Sequence, residues 1–357
     1  MFGKFMNNFY YGKSGKGDYR KEDLPTTRWA LFWEMLKIRF SGLMRLNLIY
    51  VVAWLPALLV ALSAVLNVYS GLVSLSDMQQ QVAEGAMTAE VFAQNQQLLL
   101  DGIKAIALRT LLFLVPCIAI TGPCTAGASY VTRNWARDEH AFVWSDFKDA
   151  VKDNWKQALA VSAITSVMPL ILYVCWAFYG EMTQQSMFFV VPQVLSGMVV
   201  LLWMMSLLYT YPLMVTYKLR FRDLMRNAFI LAIGRLPMTV GLKLLSLVPT
   251  LIALLVSYFT PYAQWAVLVW AAYYLLIGYS LSRFVYASYA NAAFDRYINP
   301  NIEGAEVGRG LYHDEDAYDD DDEDDDAPAP HSGDASDAPA DVWPPVLPQD
   351  HDQSKQG

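Results

Sequence analysis

Charged side chains are scarce in this 357-residue sequence. Asp, Glu, Lys and Arg together make up 17% of the residues, whereas hydrophobic residues make up 55%. Soluble domains carry about 25% charged residues, so this composition excludes an ordinary soluble protein and favours the membrane class. Many of the few acidic residues also lie in the C-terminal tail, which leaves the rest of the chain poorer still in carboxylates.

Cysteine and histidine are also rare, and this argues against metal chemistry. The three cysteines, Cys117, Cys124 and Cys175, lie in apolar stretches where small side chains pack, and His140 is the only histidine before the tail. No spacing of Cys and His residues is typical of a metal site. No carboxylate pair and no nucleophile–base arrangement is evident either. We therefore expect no metal, no cofactor, no enzymatic activity and no nucleic-acid partner.

Long apolar stretches dominate what is present. Each of them reaches the ~20 residues that a helix needs to cross a bilayer. The sequence predicts an all-α, polytopic membrane bundle with three parts: a basic segment 1–27, a membrane domain 28–300 and an acidic tail 301–357. The six predicted spans are residues 46–74, 106–129, 158–180, 188–216, 237–260 and 264–288.

The acidic tail differs from the rest of the chain in charge. Residues 302–357 hold 18 acidic and 2 basic residues; the totals are 34 and 26, so 16 acidic and 24 basic residues precede the tail. Such a tail cannot bury a core and is predicted to be disordered. It is either a solvated extension or an electrostatic contact for the basic loops or for a partner.

The basic residues are unevenly distributed between the predicted loops. They cluster before the first span, between spans two and three, and between spans four and five, whereas residues 75–105 contain only Lys104. The positive-inside rule therefore predicts that both termini are cytoplasmic and that residues 75–103 lie outside. The long outer loop is either a short helical cap or a loose connector.

Three basic segments, 28–45, 145–158 and 218–229, have the apolar periodicity of amphipathic helices. We expect such helices to lie in the headgroup layer with their cations towards anionic lipid. Each leads into a span, with an Asn near the junction and a Pro soon after, which suggests three related helix–hairpin units. The candidate cytoplasmic contact face consists of Lys148, Lys152, Arg222 and Arg226. Plain lipid anchoring explains the same residues.

The segment "TGPCTAGASYVTRNW", residues 121–135, ends the second predicted span. Gly122, Ala126 and Ser129 fall on one helix face, and small residues allow two membrane helices to approach closely. Pro123 removes a backbone donor and is expected to bend the helix, as is Pro116. We therefore expect Gly122 and Ala126 to lie against another helix.

The spans contain few charges. No Asp or Glu lies deep inside a span, which argues against the usual ion-coupled transporter. Lys243 is close enough to the cytoplasmic end of its span to snorkel, and Arg283 is expected at the inner end of the last span. The numerous Tyr and Trp residues could line a sugar path, although interface belts and packing between helices are the commoner reason for such residues.

The stretch "GPCTAGASYVTRNWARDEHAFVWSDFKDAVKDNWKQAL" resembles the YesL-like family of bacterial membrane proteins, and the segment "FRDLMRNAFILAIGRLP" fits it as well. The resemblance extends over about residues 28–295. Cys124, the long outer loop and the acidic tail depart from the family pattern. The resemblance implies a multi-pass protein of the bacterial plasma membrane, of undefined activity, whose relatives often accompany carbohydrate uptake systems.

Three functions remain open on this basis. The favoured one is a non-enzymatic accessory or regulatory component of a carbohydrate uptake system, with the lipid bilayer and components of that system as partners. The second is a permease that passes a neutral solute by itself along an aromatic path. The third is a membrane scaffold or sensor that acts through its interfacial helices. A continuous polar cavity would favour the permease, and an exposed cytoplasmic groove would favour the accessory role.

Overall fold

The computed structural model describes residues 25–312. The basic segment 1–24 and the tail from residue 313 lie outside the described residues, and so does the predicted disorder of the acidic run. Within residues 25–312 the chain forms helices and no strands, so the predicted all-α membrane fold is confirmed.

The helices follow one another with short connections. A π turn, Tyr274–Gly278, joins the last two helices, and short 3-10 turns occur at Met187–Phe189 and Asn299–Asn301. The helices are α1 Arg28–Ile38, α2 Phe40–Ala83, α3 Ala89–Ala119, α4 Thr121–Trp135, α5 Ser145–Met182, α6 Val190–Thr216, α7 Phe221–Gly234, α8 Leu236–Phe259, α9 Ala263–Tyr273 and α10 Tyr279–Tyr297.

The helices match the predicted spans. Within the described residues, five helical stretches are long and apolar enough to cross a membrane, and there are six if the bent pair α3–α4 forms one span. Many of their apolar side chains are exposed, among them Leu59, Val65 and Leu66 in α2, as expected of surfaces that face lipid. The chain is thus a multi-pass membrane protein by the length and composition of its helices.

The predicted bend in the second span is present at Ile120, where α3 and α4 meet at 49°. A proline at position 123 has no N–H to donate to the carbonyl of Ala119, four residues earlier. The hydroxyl of Ser162 in α5 donates to that carbonyl instead. The neighbouring helix therefore satisfies the backbone acceptor that the bend releases.

Helix α4 is the most deeply buried element and lies between two apolar clusters. Ala126 belongs to one cluster, together with residues of α5, α6, α7 and α10. Ala128, Val131 and Trp135 belong to the other, with residues of α1, α2 and α10. The remaining helices therefore assemble around the segment 121–135.

The outer loop is almost entirely helical. Helix α2 continues to Ala83 and α3 begins at Ala89, so that only a short turn, which includes Gly85 at φ +74°, separates them. At a rise of 1.5 Å per residue, the 44-residue α2 is about 66 Å long, well over the ~30 Å of a bilayer core. The predicted outer loop is therefore an extension of α2 and α3 as a helical hairpin.

The three amphipathic segments pack against the bundle. Helix α1 has Thr27 as its N-cap, with the Thr27 hydroxyl accepting from the N–H of Ala30, and it ends before Arg39. The segment 145–158 differs from the expectation of a separate helix, because it continues without interruption into the span as α5. Its apolar residues Phe147 and Ala150 are buried against protein, which explains why the helix need not turn into the headgroup layer.

The junction residues of the three units behave differently from one another. Asn47 bonds to the last span, whereas Asn154 bonds to the carbonyl of Ala150 in its own helix. Pro237 lies in the first turn of α8 and not in the interior of that helix. The suggested repeat is therefore not expressed as equivalent contacts at these positions.

Topology is tested by cysteine labelling from either side of the membrane. In a background without the three native cysteines, Gln80→Cys and Lys148→Cys should react with a membrane-impermeant maleimide from opposite sides, since both positions are exposed and the basic loops are predicted inside. Labelling of both variants in intact cells would contradict the six-span arrangement. Reaction of both after permeabilisation is the control for accessibility.

Candidate functional site

A groove opens at the end of the bundle where the basic loops gather, which we call the basic end. The basic-end groove has a volume of about 530 Å³. One wall is the junction of α1 and α2, and the other is the connection between α4 and α5. Its lining residues are Ile38, Arg39, Ser41, Gly42, Arg45, Trp135, Ala141, Phe142, Val143, Trp144 and Ser145.

The buried indole of Trp135 positions the two walls against each other. Its Nε1 donates to the carbonyl of Ala141 at 3.2 Å, which ties the end of α4 to the following turn. Gly42 of α2 lies directly against the indole, where a Cβ would approach Trp135 Cη2 to 2.9 Å. A larger residue at position 42 would therefore force the walls apart.

The mouth of the groove combines cations with exposed aromatic rings. Phe142 and Trp144 are 63% and 64% exposed, and Arg45 is exposed as well. Arg39 is half-buried, and its Nε lies buried without a hydrogen-bond partner in the described residues. The groove therefore offers charge, donors and apolar area for a ligand that carries both acidic and apolar groups.

Behind the groove, an arginine cluster is held together by one carboxylate. Glu139 forms ion pairs with Arg133 at 3.4 Å, with Arg137 at 3.3 Å and with Arg309 at 3.2 Å. Arg133 also donates to the carbonyl of Val215 at the end of α6. Glu139 thus links α4, α6 and the segment after α10.

The last described residues fold back over the same end of the bundle. Leu311 packs into the apolar cluster of α1 and α2, and the N–H of Tyr312 donates to the carbonyl of Pro25. Arg28 at the start of α1 pairs with Asp295 of α10. Burial lowers the pKa of the Arg28 guanidinium, and the carboxylate of Asp295 opposes this effect. Both termini of the described chain are therefore fixed beside the groove.

A second polar region lies inside the bundle, around Arg283 of α10. Its guanidinium carbon is 5.9 Å from the ring centroid of Tyr50 and 5.4 Å from that of Tyr211. Its Nη2 donates to the Tyr50 hydroxyl at 3.3 Å, and that hydroxyl bonds Thr125 at 2.9 Å. The cation is thus surrounded by side chains of α2, α4 and α6.

Lys243 of α8 points towards the same region. Its ammonium lies 4.8 Å from the ring centroid of Tyr286, whose hydroxyl donates to Ser246 at 2.7 Å. Tyr286 lies one turn from Arg283 on α10, so Lys243 and Arg283 are in the same region. Lys243 is about 10 Å along α8 from its first residue and turns inward over a ring. The expected snorkelling to the interface is therefore not what the structure shows.

The predicted helix-packing residues lie where α4 meets α5. Gly122 is buried, and a Cβ there would lie 2.3 Å from the carbonyl oxygen of Ala158. Ala126 and Ser129 are buried as well, and Ser129 donates to the carbonyl of Thr125. Pro123 is half-buried in the first turn of α4.

The four cations of the predicted contact face are exposed. Lys148 and Lys152 lie on α5, and Arg222 and Arg226 lie on α7. The two segments meet through Gln157, whose Nε2 donates to the carbonyl of Leu219 at 2.9 Å. Whether the four cations act as one face stays a prediction.

Sequence reasoning missed the partners of the interior and groove residues. A positive charge within an apolar helix is the feature of the sequence that indicates Arg283 and Lys243. Nothing in the sequence distinguishes Tyr50 and Tyr211 from the other tyrosines. No feature of the sequence indicates that Arg39, Arg45 and Trp144 line one groove.

One family of known proteins matches the chain. It is described as a protein of unknown function, DUF624, and the match covers residues 106–176. These residues comprise the second half of α3, all of α4, the turn beside the groove and most of α5. The predicted YesL-like resemblance is consistent with this family and is confirmed over the matched residues, which are less than half of the chain. Neither the curated proteins nor the solved structures gave a match.

Proposed function

We propose that this membrane protein is a non-enzymatic accessory or regulatory component of a transport system, and that its basic-end groove binds a segment of a partner protein. The observation that carries the proposal is the groove itself, which joins two cations to exposed aromatic rings. Aromatic and Arg residues around a pocket are typical of protein-binding hot spots.

The chemistry of the groove defines the partner segment. Arg39 and Arg45 both line the groove, and their guanidinium charges complement carboxylates. Phe142 and Trp144 add apolar contact area at the rim. The expected partner segment is therefore acidic and carries at least one large apolar side chain.

The groove is well placed to transmit a displacement into the bundle. It is formed by the first turn of α2 and by the turn between α4 and α5, and each of these helices continues into the membrane. Helices that are continuous with a docking surface can pass a small movement to or from a partner. This supports a regulatory role over a purely structural one.

The kind of transport is proposed from the resemblance alone. Because YesL-like relatives often accompany carbohydrate uptake systems, we propose a sugar transporter of the bacterial plasma membrane as the partner. The groove then faces the cytoplasm, as the positive-inside rule predicts.

Charge reversal in the groove tests this function. Arg39→Glu together with Arg45→Glu should lower sugar uptake in the native host and remove a transporter subunit that co-purifies with the wild type, since like charges would face the acidic segment. Membrane insertion should be unchanged. Lys218→Glu is the matched control, because Lys218 is an exposed cation of the same end outside the groove.

A second set of variants separates the groove from the predicted contact face. Charge reversal at Lys148, Lys152, Arg222 and Arg226 leaves the groove intact. Loss of uptake in this set alone would place the partner on α5 and α7. Normal insertion with unaltered uptake in both sets would exclude the accessory role.

A lipid-facing scaffold is the second candidate, and the exposed tryptophans favour it. Trp29 is 69% exposed and Trp155 is 48% exposed, and both lie near the basic end, where aromatic side chains anchor helices at a membrane interface. In that case replacing Trp29 and Trp155 by Ala should lower the thermal stability of the protein in anionic bilayers, whereas Arg39→Glu should leave the set of co-purifying proteins unchanged.

A further inference from the structure

The geometry points to an oxyanion-binding site inside the membrane domain, formed by Arg283 and Lys243. We infer that it takes a phosphate group, either of an anionic phospholipid headgroup or of a free phosphate. The inference is independent of the basic-end groove and goes beyond the proposed accessory function.

The first step is the charge balance of the region. Lys243 lies over the ring of Tyr286, which is one turn from Arg283 on α10, so the two cations share one region. Like charges repel, and this repulsion grows where the dielectric constant is low. The ion pairs of residues 25–312 involve other cations, namely Arg28, Lys104, Arg133, Arg137, Lys152 and Arg309. Paired or ligand-bound cations are the rule within membrane domains, so this pair calls for an anion.

The second step concerns the hydrogen-bond donors. A guanidinium has five N–H donors, yet within the described residues Arg283 makes only the 3.3 Å bond to Tyr50. The ammonium of Lys243 lies over the ring of Tyr286 and makes no hydrogen bond within the described residues. Both cations therefore keep donors that have no protein partner there.

The third step is the role of the tyrosines. The rings of Tyr50, Tyr211 and Tyr286 lie 4.8–5.9 Å from the two cations, and cation–π attraction holds the side chains inward. Rings attract a cation but do not neutralise it. The rings orient the N–H donors, and the neutralising negative charge comes from the bound ligand.

Phosphate oxygens suit this arrangement better than a neutral solute does. Arg presents a planar fork that matches two oxygens of a phosphate or carboxylate, and Lys adds a point charge. Lys243 lies about 10 Å along α8 from its basic end, a depth that an inner-leaflet headgroup can reach. The neutral-solute permease therefore has no support from the chemistry of this site.

Ligand-dependent thermal stability measures the binding. The purified full chain in an uncharged detergent is titrated with phosphatidylglycerol, with phosphatidylcholine, and with inorganic phosphate against chloride at equal ionic strength. A ligand that binds the folded state raises the melting temperature by mass action. We expect saturable stabilisation by phosphatidylglycerol or by phosphate, and the arm that responds identifies the source of the oxyanion.

Variants assign the effect to the two cations. Lys243→Met should weaken the response about tenfold or more, which is the loss expected for a charge-assisted hydrogen bond. Lys243→Arg should retain most of it, and Arg283→Lys should keep the charge but lose the fork. Lys218→Met is the control, because it removes an exposed cation by the same change.

The inference is overturned by either of two results. One is the absence of saturable stabilisation of the wild-type protein by both phosphatidylglycerol and phosphate. The other is a response that falls equally in Lys243→Met and Lys218→Met, which would show non-specific charge attraction. Because Lys243→Met and Lys243→Arg are read independently of Arg283, a variant of Arg283 that fails to fold does not affect the conclusion.

Discussion

Asn47→Leu is expected to lower the free energy of unfolding by about 3 kcal/mol or more, since it removes three hydrogen bonds to backbone groups of the last span. Asn47 is fully buried in α2. Its Nδ2 donates to the carbonyls of Tyr274 and Leu275 at 2.9 and 2.8 Å. Its Oδ1 accepts from the N–H of Ser280 at 2.9 Å.

The size of the effect follows from the π turn between α9 and α10. A π turn interrupts the regular i→i−4 bonding of a helix, and the displaced backbone groups need other partners. In this protein the side chain of Asn47 bonds three backbone groups at this turn, and the hydroxyl of Ser280 returns a bond to the carbonyl of Leu43. Asn47 therefore holds α2 to the last span across the interruption.

The measurement is a denaturant-detergent titration in mixed micelles, followed by tryptophan fluorescence. Asn67→Leu is the matched control, because Asn67 lies on the same helix, is exposed, and bonds only to the carbonyl of Ser63 one turn earlier. Its effect should stay within about 0.5 kcal/mol. Equal losses for the two variants would mean that the π turn does not depend on Asn47.

The spans and the bend could be predicted because their causes are local. Twenty apolar residues in a row define a span, and Pro123 removes its own donor wherever the chain lies. The contacts of α4 follow nearly as directly, since a run of small residues leaves room only for close helix packing. These features need no knowledge of distant parts of the chain.

The interior contacts could not be predicted because they join residues far apart in sequence. Asn47 bonds residues 227 and 228 positions later, and Arg283 meets Tyr50 at a separation of 233. Hydrophobic periodicity tells which face of a helix is apolar, but not which helix lies opposite. Lys243 illustrates the limit: its depth was clear from the sequence, and its inward direction depended on Tyr286.

The groove was hidden for a different reason. Residues 136–144 are not helical and follow no periodic pattern, so their placement is set by Trp135 and Glu139. The periodicity of residues 28–45 predicts one amphipathic helix. In the structure the helix is interrupted at Arg39, and this interruption forms the groove wall that carries Arg39 and Arg45. Tertiary contacts, rather than propensity, decide both features.

Gly122→Leu is expected to separate α4 from α5 and to cost about 1–3 kcal/mol of stability, or more, by overpacking. A Cβ at position 122 would lie 2.2 Å from the Ser162 Oγ and 2.3 Å from the carbonyl oxygen of Ala158. The Ser162 side chain can rotate away, but it then releases the carbonyl of Ala119 at the bend. The backbone oxygen of Ala158 cannot move without its helix.

The loss of stability should increase with the size of the side chain at position 122. Gly122→Ala already places a methyl group at the distances that clash, so it should destabilise measurably and by less than the leucine. Gly241→Leu is the control, since Gly241 is also helical, is exposed on α8, and a Cβ there meets nothing within 4 Å. In thermal unfolding in detergent, the melting temperature should be highest for Gly241→Leu, lower for Gly122→Ala and lowest for Gly122→Leu. If Gly122→Leu unfolds at the wild-type temperature, the close approach of α4 and α5 is not what stabilises the bundle.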